Sequence, residues 1–188
     1  MNFRDLSFRL KISLPMIIIT LMFLASSVAS LLQSRELAAN AETIVHQHLP
    51  EINYILQADR DLYQAQIAER SIIFLPAGSP SLTQYEAQFQ ENAQQARERV
   101  QQFFDNNSDP RWRSYAERFD TNYRQWLDLA SRNVRTRMSG QNIEGDTTTI
   151  INKTETSFQA ARAVLDELTD LRIEDGIVSV VGSPSSPT

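Results

Sequence analysis

Residues 81–104, SLTQYEAQFQENAQQARERVQQFF, decide the fold. Leu82, Tyr85, Phe89, Asn92, Ala96, Val100 and Phe103 recur there at steps of three and four residues. On an α-helix that step gathers them into one near-heptad seam. The residues between them are mostly Gln, Glu and Arg, helix formers that leave the opposite face to solvent. A strand would need sustained period-two alternation, and the stretch has none.

Working outward, the pattern repeats. Asp105 to Pro110 reads as a polar turn, with Asp109 as the cap and Pro110 as the first residue of the next helix. Trp112, Tyr115, Phe119, Asn122, Trp126, Leu129 and Asn133 form the next stripe, with Val134 and Met138 close by, and Ser139-Gly140 ends it. A loop over 141–147 leads to a helix from about Thr147 to Glu174, striped by Ile151, Thr154, Phe158, Ala161, Leu165, Leu168 and Arg172. Upstream, Ser81 reads as an N-cap, and Leu75-Pro76-Ala77-Gly78-Ser79-Pro80 closes a long helix from about Gln33 to Phe74. Pro50 inside that helix is expected to kink or divide it. Four helical segments on short connections predict an all-α protein, an antiparallel up-down four-helix bundle over residues 33–175. The aromatic residues of the middle helices are read as core volume.

Before the bundle, residues 12–32, ISLPMIIITLMFLASSVASLL, carry no charge. A helix of that length spans roughly 31 Å, about one hydrocarbon core. Arg4, Arg9 and Lys11 against Asp5 give the first eleven residues a charge of +2, so the N-terminus is expected to stay cytoplasmic and the bundle to be exported. The competing reading is a cleaved leader, with Ser27-Val28-Ala29 as the processing triplet. The apolar stretch is longer than a usual leader core, which favours an anchor. The expected organisation is a cytoplasmic N-terminus over 1–11, a transmembrane helix over 12–32 running into the bundle, and a disordered tail over 176–188.

The whole chain has net charge −5, so the part beyond the anchor carries −7. Without a basic stripe, that part is no nucleic-acid binder. There is no cysteine, which removes thiolate catalysis and disulfides. His46 and His48 stand at i and i+2 and point apart on a helix, so they read as a solvated pair rather than a metal site. No motif for a metalloprotease, a P-loop, a nucleophile elbow or a di-iron bundle is present. The sequence predicts neither an enzyme nor a cofactor.

One run stands apart: Gln57-Ala58-Asp59-Arg60-Asp61-Leu62-Tyr63-Gln64-Ala65. Arg60, Tyr63, Ile67, Arg70 and Phe74 share one helix face, and Asp59, Leu62, Gln66 and Ile73 share another. Both faces are partly apolar, as in a helix that meets its own bundle and a second copy. The plainer reading of the charges is a set of surface or interhelical ion pairs, worth little. The sharper one gives Arg60 or Arg70 a ligand.

The charged start with its apolar helix, the run Leu56 to Ala65 and the four heptad segments together resemble the N-terminal part of bacterial methyl-accepting chemotaxis proteins, over about residues 5–175. The resemblance implies a homodimer packed through the first helix, with Leu56, Arg60, Tyr63 and Ile67 at its interface. It implies an amino-acid or organic-acid ligand, or a periplasmic binding protein, at or near that interface. Arginines of the first helix would hold a carboxylate, and a guanidinium fork suits one. Arg60, Tyr63 and Arg70, with Thr154 and Phe158 of the fourth helix, are the ligand-contact candidates. The implied setting is the bacterial inner membrane with a periplasmic bundle. A histidine kinase or cyclic-dinucleotide enzyme can carry the same sensor, and a membrane-anchored adaptor is a third reading.

The family continues into a second span and a cytoplasmic half. Here Ile177-Val178-Ser179-Val180-Val181 is far short of the ~20 residues a span needs. The fourth helix is expected to end ~20 Å short of the bilayer. The chain alone is thus expected to be a truncated receptor, unable to signal across a membrane.

Overall fold

A computed structural model describes residues 8–107, 109–141, 143 and 147–181. Helices α1 (Phe8–Thr43), α2 (Leu49–Phe74), α3 (Leu82–Asp105), α4 (Arg113–Met138) and α5 (Thr147–Val181) follow in order, with no strand among the described residues. The last four form the expected antiparallel bundle, in which α2 packs on α3 and α5 and crosses the core to α4.

Helix α1 joins α2 through a π-helical turn over Ile44–His48. The cause lies at Pro50. Its nitrogen has no proton for the carbonyl of residue 46, and its ring crowds that carbonyl. The backbone widens instead, and Leu49 N–H donates to Ile44 O, five residues back. Pro50 therefore does not end the helix; it is accommodated by a π turn between α1 and α2. One helix runs unbroken from Ile12 to Phe74, and its most apolar window is wholly unburied. It is the one described helix long and apolar enough to cross a membrane.

The connections follow their sequences, with one exception. Gly78 takes φ +82° in the α2–α3 turn. Ser81 adopts helical angles and its side chain caps nothing, so its reading as an N-cap fails. Asp109 does cap: its carboxylate accepts from Arg111 N–H at 2.9 Å, ahead of a short 3₁₀ turn over Pro110–Trp112. Gly140, at φ +78°, closes α4 with bonds from Gly140 N–H to Arg137 O and from Gln141 N–H to Thr136 O. That pair of bonds is a Schellman cap.

The core contains Ile55, Leu62, Ile72, Phe89, Val100, Phe103, Phe119, Tyr123, Trp126, Phe158, Leu165 and Leu168. Trp126 meets Phe89, Tyr123 and Phe158 with centroids 5.8–6.1 Å apart. Tyr123 donates its hydroxyl to Ala93 O at 2.7 Å, and burial pushes its pKa up to about 12. Alanines at 58, 65 and 68 on α2 and at 93 and 96 on α3 are buried, and small seam residues let two helices approach closely.

Helix α5 continues to Val181 rather than stopping near Glu174. Residues 176–181, read from sequence as the start of a disordered tail, are helical; 182–188 lie outside the described residues, as do residues 1–7 of the N-terminal segment. The seven added residues lengthen α5 by ~10 Å, halving the expected shortfall against the first helix.

Candidate functional site

Helix α2 presents two different faces. The inward one buries Ile55, Ala58, Leu62, Ala65, Ile72 and Ile73 together with Asp61, Gln66 and Glu69. The outward one exposes Leu49, Leu56, Tyr63, Ile67 and Phe74. Steps of seven, seven, four and seven residues keep those five on a single seam.

The buried acids of α2 are handled differently. Asp61 accepts from Arg60 at 2.7 Å and from Arg99 of α3 at 2.5 Å. Arg60 is therefore committed to its neighbour and leans toward α3. Glu69 is wholly buried; Asn133 Nδ2 donates to its Oε1 at 2.9 Å, and the Thr154 hydroxyl also acts on the carboxylate. Burial raises its carboxyl above the ordinary value, partly offset by the Asn133 bond and by the Arg70 charge.

The α2–α5 seam gathers most of the other candidates. Arg70 pairs with Glu155 of α5 through Nη2 and Oε2. The same carboxylate accepts from Gln66 at 2.8 Å and from Gln159 at 2.7 Å. Three residues below Gln66, Tyr63 sets its ring edge against Phe158 at 5.4 Å. Arg162 lies 4.3 Å from the centroid of that tyrosine ring, donates to the phenol oxygen at 2.9 Å, and grips Asp59 at 2.5 and 3.2 Å. Thr154 is buried, and its hydroxyl donates back to Ile151 O at 3.0 Å. Phe158 is wholly buried and touches Trp126 as well.

Above this seam, at the end of the bundle away from α1, an open groove of about 430 Å³ is lined by Ile67, Arg70, Ser71, Phe74, Leu75 and Tyr85. It is largely apolar, with Arg70 supplying the charge. The structure thus brings Tyr63 against Phe158 and sets Arg70 beside the turn that holds Thr154. It leaves Arg60 apart. Thr154 and Phe158 are buried core side chains. Sequence reading passed over Glu155, Gln159 and Arg162, the polar partners on α5, because exposed charges on a solvated helix face carry no signal of their own. No trio of His, Asp or Glu placed to hold a metal occurs among the described residues.

A family model described as the four-helix-bundle sensory module for signal transduction matches residues 5–176. The chain belongs to that family, the sensory module of methyl-accepting chemotaxis proteins. No curated protein and no solved structure matches it.

The other end of the sensory module, next to the π turn, has its own polar cluster. Glu51 and Arg172 form an ion pair, each side chain only 5% exposed. Arg172 also reaches Asp175 at 3.1 Å, and Asp175 pairs with Arg111. Burial disfavours the Asp175 charge, but bonds from Arg111 and Arg172 outweigh it and hold the carboxyl below its ordinary value. Trp112 lies 4.3 Å from the Arg111 guanidinium and 5.7 Å from that of Arg172. His48 is buried here rather than solvated, while His46 stays exposed. Burial first, then the Arg172 charge, lowers the His48 pKa, partly offset by the Asp175 charge.

Proposed function

We propose that this sensory module is the ligand-sensing part of a chemotaxis transducer, anchored in the bacterial inner membrane with its N-terminus cytoplasmic and its bundle periplasmic. Two copies pair through the outward face of α2. A small amino or organic acid binds in the groove beside Arg70, at the edge of that interface. The guanidinium supplies the fork for a carboxylate, while Phe74, Ile67 and Tyr85 supply apolar walls.

The observation that carries this reading is the exposed seam of α2. Leu56 is 55% exposed, Ile67 59% and Phe74 66%, all on one face of a helix whose other face is core. An uncovered apolar heptad stripe is the surface a second helix covers. The natural chain contains no cysteine, so single substitutions report cleanly. Ile67→Cys in native membranes should give a disulfide-linked dimer on mild oxidation, and Gln94→Cys on the solvent face of α3 should not. Absence of the Ile67 cross-link, or an equal yield at Gln94, would sink the dimer and the groove placement with it.

A further inference from the structure

We propose that Glu155 is a built-in competitor for the ligand carboxylate, an internal acid that occupies Arg70 until a ligand displaces it. The inference rests on the reading above that Arg70 receives the ligand.

The Arg70–Glu155 contact has the chemistry of an occupied carboxylate site. One oxygen of Glu155 meets the Arg70 guanidinium and the Gln66 amide, and the other accepts from Gln159. Three donors therefore hold a carboxylate, and one of them, Arg70, also lines the groove. The site is not sealed: the two side chains are 36% and 34% exposed, so a solute can reach the pair. Nor is it used to capacity. Glu155 engages Nη2 alone, while Arg70 Nε is buried without an acceptor. A guanidinium binds a carboxylate best through two parallel N–H bonds, and the internal partner makes only one. A ligand that displaces Glu155 and uncovers Nε would use it together with Nη2, gaining a bond that Glu155 does not make.

The competition has a structural consequence. Glu155 stands near the start of α5 (Thr147–Val181), and its bonds to Arg70 and Gln66 tie that part of α5 to α2. A ligand on Arg70 breaks one of these ties. Ligand binding and α2–α5 attachment are then alternative uses of one guanidinium, and each weakens the other by the same factor. This places the coupling between ligand and last helix at a named contact.

The test uses the full chain in nanodiscs, with calorimetric titration of acetate, succinate, L-malate and L-aspartate. Glu155→Gln should bind at least one of these acids about three- to tenfold more tightly than the natural chain, the worth of a partly exposed ion pair with one added hydrogen bond. Glu155→Ala should give the same gain. Glu167→Gln is the control: it removes one negative charge from the same helix, at the exposed pair with Arg118, and should leave affinities unchanged. Hydrogen exchange in residues 147–160 should be faster in Glu155→Gln without any ligand. The competitor role is overturned if Glu155→Gln binds none of the four acids more tightly, if Glu167→Gln gives an equal gain, or if the exchange is unaltered. Adding Arg70→Ala separates this from the site itself. A gain that survives Arg70→Ala discards Arg70 as the receiving group. Binding that needs Arg70 but gains nothing from Glu155→Gln keeps the site and discards the competitor.

Discussion

Replacing Phe158 by alanine tests whether this residue is core, as its burial says, or a ligand contact, as the family resemblance implied. The ring is wholly buried, edge-on to Tyr63 at 5.4 Å and tilted against Trp126 at 5.8 Å. Deleting a buried phenylalanine ring costs about 3–5 kcal/mol in lost transfer energy and residual cavity. Each aromatic pair accounts for about 0.5–1.5 kcal/mol of such a loss. In a bundle of this size each kcal/mol lowers Tm by about 2–4 °C, so Phe158→Ala should lower it by roughly 6–20 °C. Phe158→Leu keeps most of the volume and gives up chiefly the two ring contacts, a cost of about 1–3 kcal/mol. Melting followed by far-ultraviolet circular dichroism orders the variants. Combining Phe158→Leu with Tyr63→Leu should show the two losses to be non-additive by about 0.5–1.5 kcal/mol. A Phe158→Ala protein melting within ~2 °C of the natural chain would refute the core assignment. So would a Phe158→Leu protein as unstable as the alanine variant.

Two further predictions concern buried charge. Arg172→Met should cost about 3–5 kcal/mol in urea unfolding because it strands the buried Glu51, and Glu51→Gln should cost less because Arg172 keeps Asp175, whereas Glu51→Leu combined with Arg172→Met should recover most of the Arg172→Met loss. A double variant no better than Arg172→Met alone would contradict the pairing. Glu69 should give the bundle an unusual pH slope. Its folded-state pKa is raised above the reference 4.5 by burial, so its ionisation penalises the fold at pH values above the folded pKa. As pH falls from neutral through that pKa toward 4.5, the penalty disappears and the urea midpoint should rise. Asp175, held below its ordinary value, acts in the opposite sense only at lower pH. Glu69→Gln should flatten the slope between neutral pH and 4.5; an unchanged slope would show that the carboxyl does not titrate there.

How much of this was legible in the sequence differs along the chain. The α5 stripe was read almost whole: Thr154, Phe158, Ala161, Leu165, Leu168 and Arg172 are all buried, Ile151 is only partly so, and the buried Ser157 and Val164 were missed. In α3 and α4 the stripe drifts. Ala93, Tyr123 and Ala130 are buried where Asn92, Asn122 and Leu129 had been placed on the seam. A residue beside the seam is hard to separate from one on it when both are helix-compatible, and packing decides. The two faces of α2 were legible because both carry apolar residues at helical spacing. The partners of its charges were not. Nothing in the sequence says that Arg60 turns to Asp61 and Arg99 while Arg70 turns to Glu155, since such pairs depend on which helix lies alongside at which height. His48 was misjudged for the same reason. Only the approach of Arg172 and the π turn above Pro50 makes its position an interior one.

Those pairings also answer what holds α5 at one height along α2. The apolar faces of two antiparallel helices repeat every heptad, so packing alone tolerates a slide of ~10.5 Å between equivalent registers. The ion pairs do not repeat. Arg70 meets Glu155 at one end, Asp59 meets Arg162 in the middle, and Glu51 meets Arg172 at the other end. All three fit a single antiparallel register. A slide by even one turn, ~5.4 Å, would carry Arg172 off Glu51, and no other carboxylate of α2 lies one turn away to receive it. Since Arg172 and Glu51 are the buried pair, that step strands Glu51 out of water, and it is the costliest to break. The exposed pair at Glu155 is the cheapest. Motion of α5 driven from the proposed ligand groove would therefore be confined to less than a helical turn. It would begin at the Glu155 end, where the tie is weak, and work against the Glu51–Arg172 pair at the end next to α1.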